Sequence, residues 1–572
     1  MRNIFFFLNL QKKTKIIFIL FLLLLGTSLD LFGLSIIIPT MKIISDYNYV
    51  NEIINNYSLF KPLGNLSQNE LIILFLLIFL LINILKGLVF IFLNWKTNVF
   101  SKELNQQISK SLIEYYSTIS YEEMIHKSSS TLIRNITQEV EGVSGAVMNF
   151  LSMIVELFIM ICIFIFILYI EPGGISIISF VLLLGLYIYR KVLVKKMIKW
   201  GYERQSFYLK KIQNINEIFH SYSELKILNK INFFGRYYIK FNEIYFNNII
   251  KYTVTQIVPR FLVETLAVIG VVIALIYLII IQGDQEQILY SLAILGASAL
   301  RILPSINRVI NYYNSFKFSD ASLNLIKNEF SKLEKYKSNK LKNDYVLNFS
   351  NKIEIKNINY KYPNKEINIL KNVNLEILKN DIVGIKGKTG SGKSTLLKII
   401  LGLLKPTDGT ISVDNKDINK NNQLASWFDK IAYVPQEIYL LNDSVKKNIL
   451  FGVDESKINQ NLYNLSINSS QCTEFIKDLE QKDNTFVGEN GIKMSGGQKQ
   501  RIGLARAIYL KREVLVLDEA TNSLDELTEK KIIDDILKMP NRPTIIFVSH
   551  RSANFGICNK IFDMSNMSFE IR

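Results

Sequence analysis

Six stretches in the first half of the chain stay apolar for long enough to cross a bilayer core, which takes about twenty residues. They lie near residues 16–42, 69–95, 142–170, 174–196, 253–281 and 287–318. After the second and the fourth, the chain runs polar with helical periodicity, and no glycine or proline interrupts it for tens of residues. The pattern predicts six spans, two of whose connections continue as long helices into the polar phase. Beyond residue 347 the rhythm changes. Short apolar runs such as Ile382–Ile385, Val514–Leu517 and Thr544–Val548 stand between helical stretches, the mark of buried strands in an α/β domain. The Lys- and Asn-rich segment 328–346 reads as a linker. The predicted organisation is therefore a membrane domain over 1–327, the linker, and an α/β domain over 347–572.

Composition agrees with that division. The chain of 572 residues is too long for one core, 49 % of it is hydrophobic, and its net charge is +17. Such a charge fits nucleic acid or anionic lipid, and its distribution selects lipid. Between Ser45 and Gln68 the only cation is Lys61, and the connections 171–174 and 282–287 hold none. Segments 96–140 and 190–251 are rich in Lys and Arg, so by the positive-inside rule they and the C-terminal half are cytoplasmic. No nucleic-acid role is expected. Cys162, Cys472 and Cys558 lack metal-type spacing and read as reduced structural residues. Met1–Lys15 reads as an interfacial elbow before the first span, not a cleaved leader.

The α/β half carries ordered chemistry. Gly387, Thr389, Gly390, Ser391, Gly392, Lys393 and Ser394 belong to a complete GxxxxGK[ST] loop, which follows an apolar strand and opens a helix at Thr395. Backbone amides of such a loop point at phosphates, Lys393 reaches the outer ones, and the Ser394 hydroxyl ligates Mg²⁺. Later come Met494-Ser495-Gly496-Gly497-Gln498 and an apolar strand ending in Asp518-Glu519. In this order, behind a membrane domain, these motifs resemble an ABC transporter of the exporter type. The fold implied is a six-helix membrane domain of exporter type I followed by an ABC-type P-loop NTPase domain.

That resemblance implies further roles, with ATP and Mg²⁺ as ligands. Asp518 holds the metal through water, and Glu519 is the base or water-positioning group for attack on the γ-phosphate. Gln436 matches the Q-loop residue beside the metal and the γ-phosphate, and His550 the switch histidine. Tyr362 rather than Tyr360 matches the aromatic that stacks on adenine. Glu489 falls in the X-loop, and Asp525 in the D-loop Ser523-Leu524-Asp525. Met494 stands where the family usually has Leu, a volume-conserving exchange. Coupling helices are expected near 121–127 and 221–230. Ser495, Gly496, Gly497 and Gln498 would complete the site of an opposite subunit, so the working unit is a homodimer with two competent sites, an ATP hydrolase driving transport.

Cargo must be read from the spans. Lys86, Arg260, Arg301 and Arg308 lie within them, where a cation is a functional hypothesis by default. Internal pairing is the competing reading, with Glu264 four residues from Arg260 and with Asp30 and Glu156 available. The strings Asp30–Pro39, Val258-Pro259-Arg260 and Leu303–Arg308 are similar to PglK-type bacterial flippases of lipid-linked oligosaccharides. That likeness implies arginines that hold a polyprenyl pyrophosphate, in a bacterial inner membrane. Lys86 departs from the pattern, because lysine loses the bidentate fork that suits phosphate oxygens. Tyr47, Val50, Ile53, Ile54 and Tyr57 share one helical face of a segment that matches the external helix of those flippases, or form an amphipathic surface helix. Another anionic lipid, a peptide or a drug is the alternative cargo.

Overall fold

The computed structural model describes residues 2–9, 13–45, 66–170, 172–281, 285–339, 346–363, 366–420, 423–549 and 552–571. The segment with Tyr47, Val50, Ile53, Ile54 and Tyr57 lies outside them, as does the side chain of Asp30. The chain divides into two compact units, one of Met1–Ile119 with His126–Lys335, the other of Ser120–Ile125 with Tyr336–Arg572.

The first unit is helical. Long helices run over Lys13–Ser45, Gln68–Thr118, Val140–Ile170, Pro172–His220, Ile231–Ile281 and Gln285–Phe318. Among the described residues, three helical stretches (Gln68–Thr118, Ser129–Ile165 and Ile231–Ala274) are long and apolar enough to cross a membrane. Each of Gln68–Thr118, Pro172–His220 and Ile231–Ile281 is far longer than a span and continues unbroken into the polar phase, as the two long connections predict. Gln68–Thr118 starts on a capping box in which the Glu70 carboxylate accepts from the Ser67 backbone N–H at 2.8 Å. Pro259 and Pro304 lie inside their helices. The N-terminal helix Arg2–Leu8 is more embedded than an interfacial elbow requires. Ile4 and Phe7 are fully buried, and Phe7 meets Phe330 edge-on at 6.2 Å, while Phe5 stays exposed.

Short helices cover Tyr121–Ile125 and Tyr222–Ile227, inside the two expected coupling segments. The first belongs to the second unit. The linker expected over 328–346 needs correction. Helix Asp320–Asn339 runs through its first two-thirds, and the first unit extends to Lys335. Phe330 and Leu333 are buried there, so an apolar stripe holds as helix what Lys- and Asn-rich composition suggested was loose.

The second unit has two sheets. An antiparallel sheet orders β2 (Leu370–Leu378), β1 (Lys352–Tyr360), β4 (Asp408–Val413) and β5 (Lys416–Asp417). A six-stranded sheet orders β10 (Ser568–Ile571), β9 (Lys560–Asp563), β3 (Ile382–Lys386), β8 (Thr544–Val548), β7 (Val514–Asp518) and β6 (Ile431–Val434). In it β3, β8, β7 and β6 are mutually parallel. Strands β7 and β8 are buried throughout, as parallel strands covered on both faces must be, which explains their unbroken Val/Ile/Leu runs. Register pairs Ile385 with Val548, Val548 with Asp518, and Leu517 with Val434. The carboxyl ends of four strands therefore open on one edge, the crevice where α/β sheets bind ligands.

Candidate ATP site

From the end of β3 the chain enters Gly387–Gly392. A Cβ on Gly387 would stand 2.7 Å from the Ser391 hydroxyl and 2.8 Å from Met564, so only glycine lets the loop close. Gly392 has φ +95° and leads into the helix Lys393–Ile400, whose first turn has no side-chain cap. Lys388, Thr389 and Gly390 are exposed at the loop tip. Lys393 is 6 % exposed, and its ammonium donates to the Gly387 carbonyl at 2.6 Å and the Lys388 carbonyl at 3.1 Å. The Ser391 hydroxyl is buried without a partner among the described residues. An orphaned hydroxyl, an ammonium aimed back over the loop and an uncapped helix N-terminus form a set of donors. Such a set fits the acceptor oxygens of a triphosphate.

Beside it the exposed Ser394 hydroxyl and the carboxylate of Asp518, 8 % exposed at the end of β7, offer hard oxygen ligands suited to Mg²⁺. Tyr433 on β6 donates its hydroxyl to Asp518 Oδ2 at 3.2 Å. Burial pushes the Asp518 carboxyl up from its usual range, with the neighbouring Glu519 acting the same way and the Tyr433 bond opposing both.

Glu519 adopts φ +51°, a left-handed conformation that costs about 1–3 kcal/mol in a residue with a side chain. Its N–H donates to the Val548 carbonyl at 3.0 Å, which fixes the turn. Its Oε2 accepts from Gln436 Nε2 and from Asn522 Nδ2, each at 2.9 Å. The predicted base and the predicted Q-loop residue are thus brought together at the strand ends. His550 lies outside the described residues; Ser549 before it is buried.

Tyr362 is half-buried, and its hydroxyl lies 3.4 Å from that of Thr395 on the first turn after the loop. Tyr360 is 1 % exposed and donates instead to Glu122 Oε1 at 2.7 Å, on the short helix Tyr121–Ile125. That leaves Tyr362 as the ring available to a ligand.

Ser495 N-caps the helix Gly496–Tyr509 through a capping box with Gln498. The Ser495 hydroxyl accepts from the Gln498 N–H at 3.3 Å, and the Gln498 side chain accepts from the Ser495 N–H at 2.9 Å. Ser495 and Gly496 are exposed. A Cβ on Gly497 would come within 3.1 Å of the Ser523 carbonyl, so this turn packs tightly on Ser523-Leu524-Asp525. Ser523 N–H donates to the buried Gln500 at 2.9 Å, and exposed Asp525 caps Glu526–Leu537 by accepting from the Thr528 N–H at 2.9 Å. Among the described residues, no hydrogen bond joins this turn to the loop 387–394. Met494 is buried against Leu440 and Val445, so the thioether fills the core where Leu is usual.

The four span cations differ. Arg260 pairs with Glu264 at 3.0 Å, and Arg308 with Glu156 at 2.5 Å, with a further bond to the Ser305 hydroxyl at 3.1 Å. Lys86 is half-buried, and the side chain of Arg301 is outside the described residues. Reading from sequence missed Tyr433 and Asn522, which hold Asp518 and Glu519. Their roles depend on strand register and on one turn, and neither residue carries a motif signal of its own.

Comparison with known proteins agrees with this geometry. Residues 370–522 match the ABC transporter family. An export ATP-binding/permease protein of Rickettsia typhi is 28 % identical over 509 residues, spanning 85 % of this chain and 83 % of its own. An ATP-dependent lipid A-core flippase of Pseudoalteromonas translucida is 35 % identical over 219 residues, 38 % of this chain and 37 % of its own. A bacterial Atm1-family ABC exporter solved with ATP bound shares the fold, with a TM-score of 0.79 at 18 % identity over 96 % of this chain and 94 % of that one.

Proposed function

We propose that this chain, which has the ABC exporter fold and hydrolyses ATP to drive transport, works as a homodimer that flips an anionic lipid-linked molecule across the bacterial inner membrane. The observation that carries the dimer is the exposed turn at Ser495 and Gly496, which among the described residues makes no hydrogen bond to its own chain's phosphate loop. Its hydroxyl, glycine amides and helix N-terminus form a second anion-binding end. Two copies placed head to tail put each turn on the other's triphosphate. ATP then favours the closed pair, because only that form offers contacts from both sides.

In the closed pair the loop amides and Lys393 hold the outer phosphates, and the Tyr362 ring stacks on adenine. Ser394, Asp518 and Gln436 would hold Mg²⁺, which neutralises charge on the β- and γ-phosphates. Glu519 orients a water in line with the γ-phosphorus. The new oxygen–phosphorus bond forms as the bond to the β-bridging oxygen breaks, and the water proton passes to the Glu519 carboxylate. ADP and phosphate leave, the second set of contacts is lost, and the pair reopens. His550 and Asp525 complete the set as switch and cross-subunit contacts.

For the cargo, cations at Lys86, Arg260, Arg301 and Arg308 support an anionic headgroup, and the likeness to PglK-type flippases supports a polyprenyl-pyrophosphate oligosaccharide. The pairing of Arg260 and Arg308 with carboxylates favours a second reading, in which those two arginines are structural and the cargo is another anionic lipid, a peptide or a drug. ATPase assays on protein in liposomes, with and without a polyprenyl-pyrophosphate glycan, test the choice. Stimulation that is lost on Arg301→Ala with basal turnover intact supports the glycan. Stimulation by drugs alone overturns it.

A further inference from the structure

The helix Pro172–His220 passes from the fourth apolar stretch into the polar phase without a break, and its two faces have different fates. One is packed: Leu182, Tyr189 and Met197 are 8 %, 6 % and 0 % exposed, and a Cβ on Gly185 would fall 2.1 Å from Leu266 of the neighbouring helix Ile231–Ile281. The other face stays open. Leu184 and Ile188 are 52 % and 54 % exposed, and Lys191 and Lys195 follow them at helical spacings of three and four, both exposed. The open apolar stripe of the span thus runs straight into cations. Arg190, Lys191, Lys195, Lys196 and Lys199 are all exposed and lie within ten residues. The first acid that follows is Glu203, 3.8 Å from Lys199, and the other four have no carboxylate partner among the described residues.

Orientation by the positive-inside rule does not demand this density. The ten residues before the fifth stretch, 243–252, hold Lys251 and Glu243, and the ten after the second, 96–105, hold Lys96, Lys102 and Glu103. Helix Gln68–Thr118 carries an aromatic–cation pair of its own where its apolar run ends. Its Trp95 is 58 % exposed, and the Lys96 ammonium lies 4.6 Å from the indole centroid, an aromatic and a cation of the kind that settle at headgroup level.

We propose that the open face carrying Lys191, Lys195 and Lys199, flanked by Lys196, is a docking surface for the anionic phospholipid headgroups of the cytoplasmic leaflet, and that their binding raises the ATPase rate. The proposal rests on the membrane-spanning reading above. Juxtamembrane cations attract anionic headgroups, and four or more together on one helix bind them stably. The apolar stripe above them accepts the acyl chains of the same lipids. Headgroups that fix the upper part of the helix bias the orientation of its lower end. The same unbroken helix ends at the short helix Tyr222–Ile227, which lies in the second expected coupling segment, and under the proposed function a coupling segment carries such a bias to the ATPase.

The test uses the full chain in nanodiscs of phosphatidylcholine with increasing phosphatidylglycerol. ATPase activity is expected to rise several-fold with phosphatidylglycerol and to lose the gain at high salt, where exposed charges are screened. In a Lys191→Gln, Lys195→Gln, Lys196→Gln variant, the phosphatidylglycerol fraction for half-maximal rate should increase at least five-fold, with the rate in pure phosphatidylcholine unchanged. The same three positions changed to Arg should respond as the parent does. An unaltered phosphatidylglycerol response in the Gln variant overturns the proposal. So does efficient cross-linking between two copies through Lys191→Cys, which would show that a second chain covers the face. Absence of ATPase in every lipid, by contrast, would overturn the functional reading itself.

Discussion

Replacing Tyr360 by Phe should weaken the hold of the ATPase unit on the short helix Tyr121–Ile125 while leaving nucleotide chemistry alone. The Tyr360 hydroxyl donates to Glu122 Oε1 at 2.7 Å, and the ring is buried at 1 % exposure, edge-on to Tyr362 at 5.1 Å. Burial and the adjacent carboxylate hold the phenol above its ordinary range, so it remains a donor at every working pH. A hydrogen bond to a charged acceptor contributes about 1.5–3 kcal/mol net, and half-buried Glu122 sets the value near the lower figure. Loss of about 1.5 kcal/mol is roughly a tenfold change in the docking equilibrium. Phenylalanine keeps the ring packing and removes only that bond. Lys398, 5.5 Å from the Tyr121 ring, keeps a weaker cation–π contact in place. Hydrogen exchange read by mass spectrometry should show residues 121–125 losing about tenfold in protection. Basal ATPase should stay within about twofold, while cargo moved per ATP falls. Combining Tyr360→Phe with Glu122→Gln should cost little more than either alone, because the two share one bond. Unchanged protection of 121–125, or strictly additive losses, would refute the reasoning.

Other substitutions probe separate parts. Glu519→Gln should trap ATP in a closed dimer and cut turnover by at least about 100-fold, seen as stable nucleotide retention on size exclusion; rapid hydrolysis would show that another group is the base. Arg308→Ala leaves the Glu156 carboxylate, 14 % exposed, without its partner, and should lower stability by about 1–3 kcal/mol in a thermal-shift assay, with Arg308→Ala/Glu156→Gln recovering most of it. Cargo stimulation that recovers with stability in the double variant would mark the pair as structural and not a headgroup site. Full burial pushes the Cys472 thiol up to about 12, so at pH 8 it stays protonated and should resist iodoacetamide until the domain is denatured. Labelling in the native state at the rate of a free thiol would contradict the packing. Gly201→Ala forces a Cβ to 2.3 Å from the Phe318 carbonyl and should shift the melting temperature down by several degrees.

Most of the ATP site was legible because its chemistry is local in sequence. A phosphate loop needs its glycines, lysine and hydroxyl within one turn, and a base next to a metal ligand needs adjacent positions at one strand end. Span positions were equally plain, since bilayer thickness sets the length of an apolar run. What stayed hidden depends on contacts between distant segments. Tyr433 reaches Asp518 only because β6 lies beside β7, and Tyr360 meets Glu122 across 238 positions. The helical state of the segment 328–339 is hidden for a related reason. Lysines and asparagines dominate its composition, but the few apolar residues that decide its helical state, Phe330 and Leu333, are recognisable only beside what buries them. The span arginines stand out in the sequence, yet Glu156 is 152 positions from Arg308, and sequence alone does not assign that pairing.

Six residues, Ser120–Ile125, are threaded through the membrane half in sequence and belong to the catalytic half in space. A chimera made by one cut between helix Asp320–Asn339 and strand β1 would therefore carry a mismatched hexapeptide from whichever parent donated the membrane half. Engineered hybrids of such transporters should recover communication between their halves when this hexapeptide is transplanted together with the catalytic half. Natural recombination between distant members faces the same constraint, with the two pieces inherited as a pair or adjusted to one another afterwards.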